Sequence, residues 1–161
     1  MMYLESDKRS RLVDQPLEMK VLISATLVFA LVALGMALLY IYVSHHTPGG
    51  GILITPKDIA ATYYGPGVGL DTLIGLAHIH LWGLLVAFWI IGFIFLHSSV
   101  SRRWNIFWSL LPYIAFLGDV AGWFLTTINP RFVWLVLLGG ATFSTALFVM
   151  IIFSLWDVWL G

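Results

Sequence analysis

Four long stretches of almost uninterrupted apolar residues dominate the pattern of hydrophobic and polar positions along the chain. They cover about residues 21–43, 72–96, 104–126 and 132–159. Because an α-helix rises ~1.5 Å per residue, each stretch is long enough to cross the ~30 Å hydrocarbon core of a bilayer. The pattern predicts an all-α integral membrane protein, with a cytoplasmic tail at residues 1–19 and a four-helix transmembrane bundle at residues 20–160.

The longest connection between the predicted spans, residues 44–71, contains the signals of a short helix. Thr55 is a favourable N-cap residue, and Pro56 and Asp58 suit the first and third helical positions. A glycine–proline pair follows residue 64 and ends the segment. Tyrosine favours the membrane surface, so we expect an interfacial helix over residues 57–64 of the outer loop.

Basic residues are distributed unequally between the two sides that the spans would separate. The long-loop side has only Lys57 and Arg131. The other side has six basic residues: Lys8, Arg9, Arg11, Lys20, Arg102 and Arg103. Because cytoplasmic loops carry the excess of Lys and Arg, we expect both chain ends in the cytoplasm and the long loop in the periplasm of a bacterial inner membrane.

Residues near the ends of the spans suggest how the helices meet the two membrane surfaces. Trp82, Trp123 and Trp134 are expected in the outer aromatic belt, where tryptophan is enriched. His97 and Asp157 lie near the predicted cytoplasmic ends, so we expect both side chains to reach water.

The composition excludes several classes of function. The chain is 60% hydrophobic and 10% charged, with a formal net charge of zero, so nothing indicates nucleic-acid binding. It contains no cysteine, which excludes disulfides, thiolate metal sites, iron–sulfur clusters and covalently attached haem c. A haem could be held only non-covalently.

Three ionisable residues lie deep inside the predicted spans, where each costs ~2.5–3.5 kcal/mol to insert and therefore needs a reason. His78, His80 and Asp119 share one level, ~10 Å below the outer surface by helix rise. That level is also rich in glycine on every span: Gly35, Gly83, Gly118, Gly122, Gly139 and Gly140. Either small residues bring the helices close together, as the Gly118–Gly122 spacing allows, or the layer encloses a cavity for a flat ligand.

The two histidines of this layer face different ways. At about 100° per helical residue, they point about 200° apart. We expect His80 to share the inner face of its helix with Gly83, and His78 to face lipid, a partner subunit or the outer loop together with Trp82. Asp119 is the candidate to accept a ring proton from His80, either behind a bound metal or as a plain hydrogen bond in the core.

A haem b held by two histidines normally takes them from two helices, and only the second span supplies intramembrane histidines at this level. His45 and His46 follow the first span and could reach in. Otherwise the second ligand comes from another chain, or the iron is five-coordinate. A cluster of His45, His46, His78, His80 and Asp58 could instead bind zinc or copper at the outer surface.

The segment from Ala77 to Gly83 resembles the His-x-His-Leu motif that opens the second helix of small four-helix membrane proteins related to haem–copper oxidase subunit I. A second resemblance is to four-helix proteins found with respiratory c-type cytochromes. In those proteins an Asp-Ile-x-x-x-Tyr-Tyr-Gly segment precedes the His-x-His helix, as residues 58–65 do here. The resemblance covers about residues 58–160. It implies a haem b subunit or an accessory subunit of a respiratory complex, and it points to His78 and His80.

These observations predict a membrane subunit of a respiratory electron-transfer complex, not an enzyme acting alone. It would bind haem b, or border a quinone, in the outer half of the membrane. The expected cofactor residues are His80, His78, Gly83, Asp119 and Gly122. The expected partners are the lipid bilayer, other membrane subunits and a periplasmic cytochrome c. The alternative is a structural subunit without a cofactor, in which the same histidines and glycines pack helices.

Overall fold

Helices make up almost all of the part of the chain that the structure describes. The computed structural model describes residues 11–45, 54–65 and 67–161. Its helices are α1 (Leu17–His45), α2 (Pro56–Tyr63), α3 (Leu70–Phe95), α4 (Arg102–Ile128) and α5 (Val133–Leu160). Four of them, all except α2, are long and apolar enough to cross a membrane. The predicted all-α fold with four spans is confirmed, and the helices begin and end within about four residues of the predicted limits.

The core of the bundle is formed by α3, α4 and α5, and the contact between α4 and α5 is the most extensive. Phe88 of α3 is 1% exposed and lies at the centre of this core. Its ring meets Tyr113 and Phe116 of α4 nearly edge-on, with centroids 5.3 and 5.8 Å apart. Phe143 of α5 completes the cluster at 6.0 Å. Such edge-to-face pairs add about 0.5–1.5 kcal/mol each beyond the area they bury.

Helix α1 is peripheral to this core. Only 6% of its apolar stretch is buried inside the protein, against 39% for α4. It is attached to α5 near one end, where the Trp159 indole Nε1 donates to Ser24 Oγ at 3.0 Å. The Lys20 ammonium lies 5.8 Å from the centroid of the same indole, a cation–π contact. Leu27, fully buried, anchors the next turn of α1 in the core.

The turn between α3 and α4 is closed by a carboxylate from α5. Asp157 is 2% exposed, and it accepts hydrogen bonds from the Ser99 hydroxyl and from the Ser99 backbone N–H, the latter at 2.8 Å. The Leu12 backbone N–H also reaches this turn and donates to His97 O at 3.1 Å. The expectation that Asp157 reaches water is therefore wrong, because unpaired groups of the turn bind the carboxylate instead. We call this end of the bundle the Ser99 end.

The opposite end, which we call the α2 end, contains α2 and the turn between α4 and α5. The predicted start of α2 is confirmed: Thr55 N–H donates to Asp58 Oδ2 at 2.7 Å, and Asp58 N–H donates to Thr55 Oγ1 at 3.4 Å. This reciprocal pair is a capping box. The helix ends at Tyr63, and Gly65 then adopts a φ of 80°, a left-handed conformation that glycine tolerates. Pro66 lies outside the described residues.

Candidate functional site

Asp119 is a buried carboxyl group at the crossing of α4 and α5. Its side chain is 6% exposed, and Oδ1 accepts a hydrogen bond from Trp123 Nε1 at 3.2 Å, one helical turn away. Gly139 of α5 lies directly opposite, because a Cβ at that position would come within 2.8 Å of Asp119 Cβ. The absence of a side chain at Gly139 therefore makes room for the carboxyl group between the helices.

Trp123 connects Asp119 to two further aromatic side chains. Its ring is 8% exposed and stacks on Tyr63 of α2, with centroids 6.2 Å apart and an interplanar angle of 9°. The His80 ring of α3 meets it edge-on at 5.5 Å. We call these four side chains the Trp123 cluster. The prediction that Trp123 belongs to an outer aromatic belt is wrong, because its position one turn after Asp119 turns the indole inward.

His80 lies at the edge of the bundle rather than facing its interior. The inner stripe of α3 is formed by Leu73, Ala77 and Phe88, while His80 is exposed and contacts the edge of the bundle through Trp123. Its Nδ1 lies 2.8 Å from Leu76 O. A carbonyl oxygen can only accept, so Nδ1 carries the proton in this hydrogen bond. The lone pair of the neutral imidazole is then on Nε2, the nitrogen that is free to bind a ligand.

The expected hydrogen bond between His80 and Asp119 is not formed. Trp123 provides the N–H that Asp119 accepts, while Leu76 provides the acceptor for His80. The indole contacts both the carboxyl group and the imidazole, which form no hydrogen bond with each other. The i, i+4 spacing of Asp119 and Trp123 in the sequence is the signal that could have indicated this pair.

Tyr63 of α2 covers one face of the Trp123 ring, and the pKa of its phenol is raised. Burial and, to a smaller extent, the nearby Asp119 carboxyl group together raise the pKa of the Tyr63 phenol to about 12. Both causes disfavour the phenolate. The phenol is therefore a neutral hydrogen-bonding group beside a site of low polarity.

His78 occupies the other face of α3, as expected. It is exposed, and so are Trp82 and Trp89 on the same face. In the described part of the chain, no hydrogen bond or ring contact involves His78. His78 and His80 therefore lie on different sides of α3, and the structure does not bring them to one site.

The glycines of the predicted layer divide into two groups. At Gly122 a Cβ would lie 2.8 Å from Val136 N, and at Gly139 a Cβ would lie 2.8 Å from Ala115 O. These two glycines pack α4 against α5, and Gly122 has no room for a ligand, contrary to the expected cofactor contact. A Cβ at Gly35, Gly83 or Gly118 would meet nothing within 4 Å. Open space therefore exists beside Gly83, one turn from His80.

The alternative outer metal site is not assembled by the residues that the structure describes. Among them, no group of three or more potential metal-binding side chains comes together. The backbone of His45 ends α1, and His46 lies outside the described residues. The Asp58 carboxylate accepts hydrogen bonds at the N-terminus of α2, from Thr55.

Comparison with known proteins gives one match. Residues 54–161 match the model of a family described as a transmembrane helical domain. The match begins just before α2 and includes α3, α4, α5 and the whole Trp123 cluster, whereas α1 lies outside it. No curated protein and no solved structure matches the chain.

Proposed function

We propose that this chain, which belongs to the Aq_1264_TM family of transmembrane helical domains, is a membrane subunit of a redox electron-transfer complex. The redox group is haem b, or a quinone in its place, bound against the His80 face of α3. The complex lies in a bacterial inner membrane, with the α2 end facing the periplasm and both chain ends in the cytoplasm.

The state of His80 is the observation that supports this proposal. The hydrogen bond to Leu76 O fixes the ring orientation and leaves Nε2 as the free nitrogen. This is the arrangement typical of metal-bound histidine, in which the second ring nitrogen donates to a carbonyl. The open space beside Gly83 gives a planar group a surface on which to lie. The residues present therefore fit one axial contact to a haem, which when bound would supply one-electron transfer.

The other members of the Trp123 cluster would position His80. The Trp123 ring restrains one side of the imidazole, and the indole is itself held by its hydrogen bond to Asp119. Tyr63 stacks on the opposite part of the indole and shields it at the membrane surface. A quinol at the same face would donate its hydroxyl to His80 Nε2, so both redox groups depend on the same free nitrogen.

A partner subunit would complete the site. Of the other histidines whose side chains the structure describes, His78 points away from His80 and His97 lies at the Ser99 end. We expect the second axial ligand from another membrane subunit. The exposed face of His78, Trp82 and Trp89 is available for lateral contact with such a subunit. The loop at the α2 end would receive a periplasmic cytochrome c.

Optical spectroscopy tests the proposal on the protein purified in mild detergent with its native partners. The wild type is expected to show a reduced-minus-oxidised spectrum of haem b, and His80→Ala is expected to lose it. His97→Ala is the matched control, because His97 Nδ1 makes the same kind of bond, to Phe93 O at 2.9 Å, at the other end of the bundle. If the redox group is a quinone, the bound quinone is extracted with organic solvent and quantified in the same three proteins, in place of the spectrum.

A structural subunit without a cofactor is the second candidate, and the packing of α4 on α5 favours it. Gly122 and Gly139 form close helix contacts, and Asp119 Oδ1 already has a protein donor. On this alternative, the wild type carries neither haem nor quinone. His80→Ala would then change only stability or assembly, measured by co-purification of the partner subunits.

A further inference from the structure

An apolar groove opens on the surface of the bundle at the Ser99 end, far from the Trp123 cluster. It has a volume of about 200 Å³. Six side chains from α3, α4, α5 and the α3–α4 turn line it: Phe95, Val100, Trp104, Trp108, Val149 and Phe153. The volume is several times the ~30 Å³ that a water molecule occupies, so the groove has room for a segment of hydrocarbon chain.

The position of the lining residues places the groove at a membrane surface. Phe95 ends α3, Val100 belongs to the turn, and Trp104 lies in the first turn of α4. Val149 and Phe153 are one turn apart on α5 and extend the groove away from the turn, toward the bilayer interior. The groove therefore runs from the headgroup level into the hydrocarbon region, the direction that a phospholipid acyl chain follows.

Two exposed arginines lie in the first turn of α4, at the end of the bundle where the groove opens. Arg102 and Arg103 begin α4, between the lining residues Val100 and Trp104. Both arginines are exposed, and within the described residues neither has an ion-pair partner.

The two tryptophans of the groove add hydrogen-bond donors, Trp104 in the first turn of α4 and Trp108 one turn further along the helix. No acceptor for the indole N–H of Trp104 or Trp108 exists among the residues that the structure describes. Guanidinium groups and indole N–H groups together suit phosphate oxygens, which are charged acceptors. Clusters of basic residues beside transmembrane helices are a recognised mode of anionic lipid binding.

We propose that this groove is a binding site for an anionic phospholipid, with one acyl chain between Trp104 and Phe153 and its phosphate held by Arg103 and Arg102. The shape complements a hydrocarbon chain, and the charge selects an anionic headgroup over a zwitterionic one. The site does not depend on the redox proposal, since it shares no residue with the Trp123 cluster.

Native mass spectrometry of the delipidated protein in detergent tests the site. Dioleoyl phosphatidylglycerol and dioleoyl phosphatidylcholine are added separately as probes, and the bound lipids are counted. Each basic residue near a membrane surface contributes ~1 kcal/mol, so the wild type is expected to bind the anionic lipid roughly 10- to 30-fold more tightly than the zwitterionic one. The double variant Arg102→Gln, Arg103→Gln is expected to lose this preference.

Two further variants separate charge from shape. Arg131→Gln removes an exposed arginine at the α2 end and is expected to leave lipid binding unchanged. Val149→Phe fills the groove and is expected to weaken the binding of both lipids. If Val149→Phe does not fold, Phe153→Trp serves the same purpose. Equal affinity of the wild type for the two lipids, or an unchanged preference in the double arginine variant, would overturn the proposal.

Discussion

Trp123 donates its indole N–H to Asp119 across one turn of α4, at 3.2 Å, and both side chains are buried inside a membrane-spanning helix. The bond therefore offsets part of the cost of placing an ionisable residue in the membrane. Because the same indole contacts Tyr63 and His80, this one pair determines the geometry of the whole cluster.

Trp123→Phe is expected to destabilise the protein by about 1–3 kcal/mol, because it leaves the buried Asp119 oxygen without its donor. Unfolding in detergent by heat or by added denaturing surfactant measures the change. Trp82→Phe is the matched control: Trp82 is 63% exposed, so its substitution is expected to change stability by no more than about 0.5 kcal/mol. Equal losses in the two variants would contradict the assigned role of the hydrogen bond.

Gly139→Ala and Gly118→Ala are expected to change the free energy of unfolding in opposite directions. The new methyl group at residue 139 would lie 2.8 Å from Ala115 O and from the Asp119 backbone, so α4 and α5 must separate, at a cost of about 1–3 kcal/mol. At residue 118 nothing lies within 4 Å, and alanine gains up to about 1 kcal/mol in helix propensity. The same unfolding assay ranks the variants, and a stabilised Gly139→Ala protein would refute the close contact.

Tyr63 is expected to make stability depend on alkaline pH. Its pKa is raised to about 12 from the ordinary 10.0, by burial and then by Asp119. The unfolded chain releases this proton from about pH 10, while the folded protein keeps it until about pH 12. The stabilising contribution is complete below pH 10 and is lost as the pH rises through 12. Ultraviolet titration of tyrosinate should show a late-titrating group that disappears in Tyr63→Phe and persists in Tyr64→Phe.

Asp157→Ala is expected to destabilise the Ser99 end by about 1–3 kcal/mol, because the Ser99 backbone N–H loses its acceptor. Asp157→Asn keeps one acceptor oxygen and is expected to lose less stability than Asp157→Ala. Hydrogen exchange of the α3–α4 turn, followed by mass spectrometry, localises the effect. Unchanged exchange at residues 97–101 in Asp157→Ala would show that the carboxylate does not hold the turn.

The sequence predicts the four spans and the start of α2 well, since both depend on local signals. A long apolar stretch suits only a membrane, and the Thr55–Asp58 pair lies within a single helical turn. The sequence does not predict that Asp157 binds Ser99, because the two residues are 58 positions apart and meet only after the helices pack.

The sequence predicts less well which side chains point into the bundle and which point outward. The spans are apolar on nearly every side, so periodicity does not distinguish the lipid face from the core face. Gly83 suggests an inner face for His80, yet its open side lies at the edge of the bundle. The sequence does not distinguish Gly122 and Gly139 from Gly118. Gly122 and Gly139 make close contacts because they lie where α4 crosses α5.

Chemical rescue of His80→Gly tests the central claim most directly. The variant, purified with its partners, is titrated with imidazole while the reduced-minus-oxidised spectrum is recorded, and His97→Gly is the control. The wild type is expected to show a haem b spectrum that is lost in His80→Gly, is restored by imidazole and is unaffected in His97→Gly. A wild type without haem, or a His80→Gly spectrum equal to that of the wild type, would contradict the assignment of His80 as the ligand.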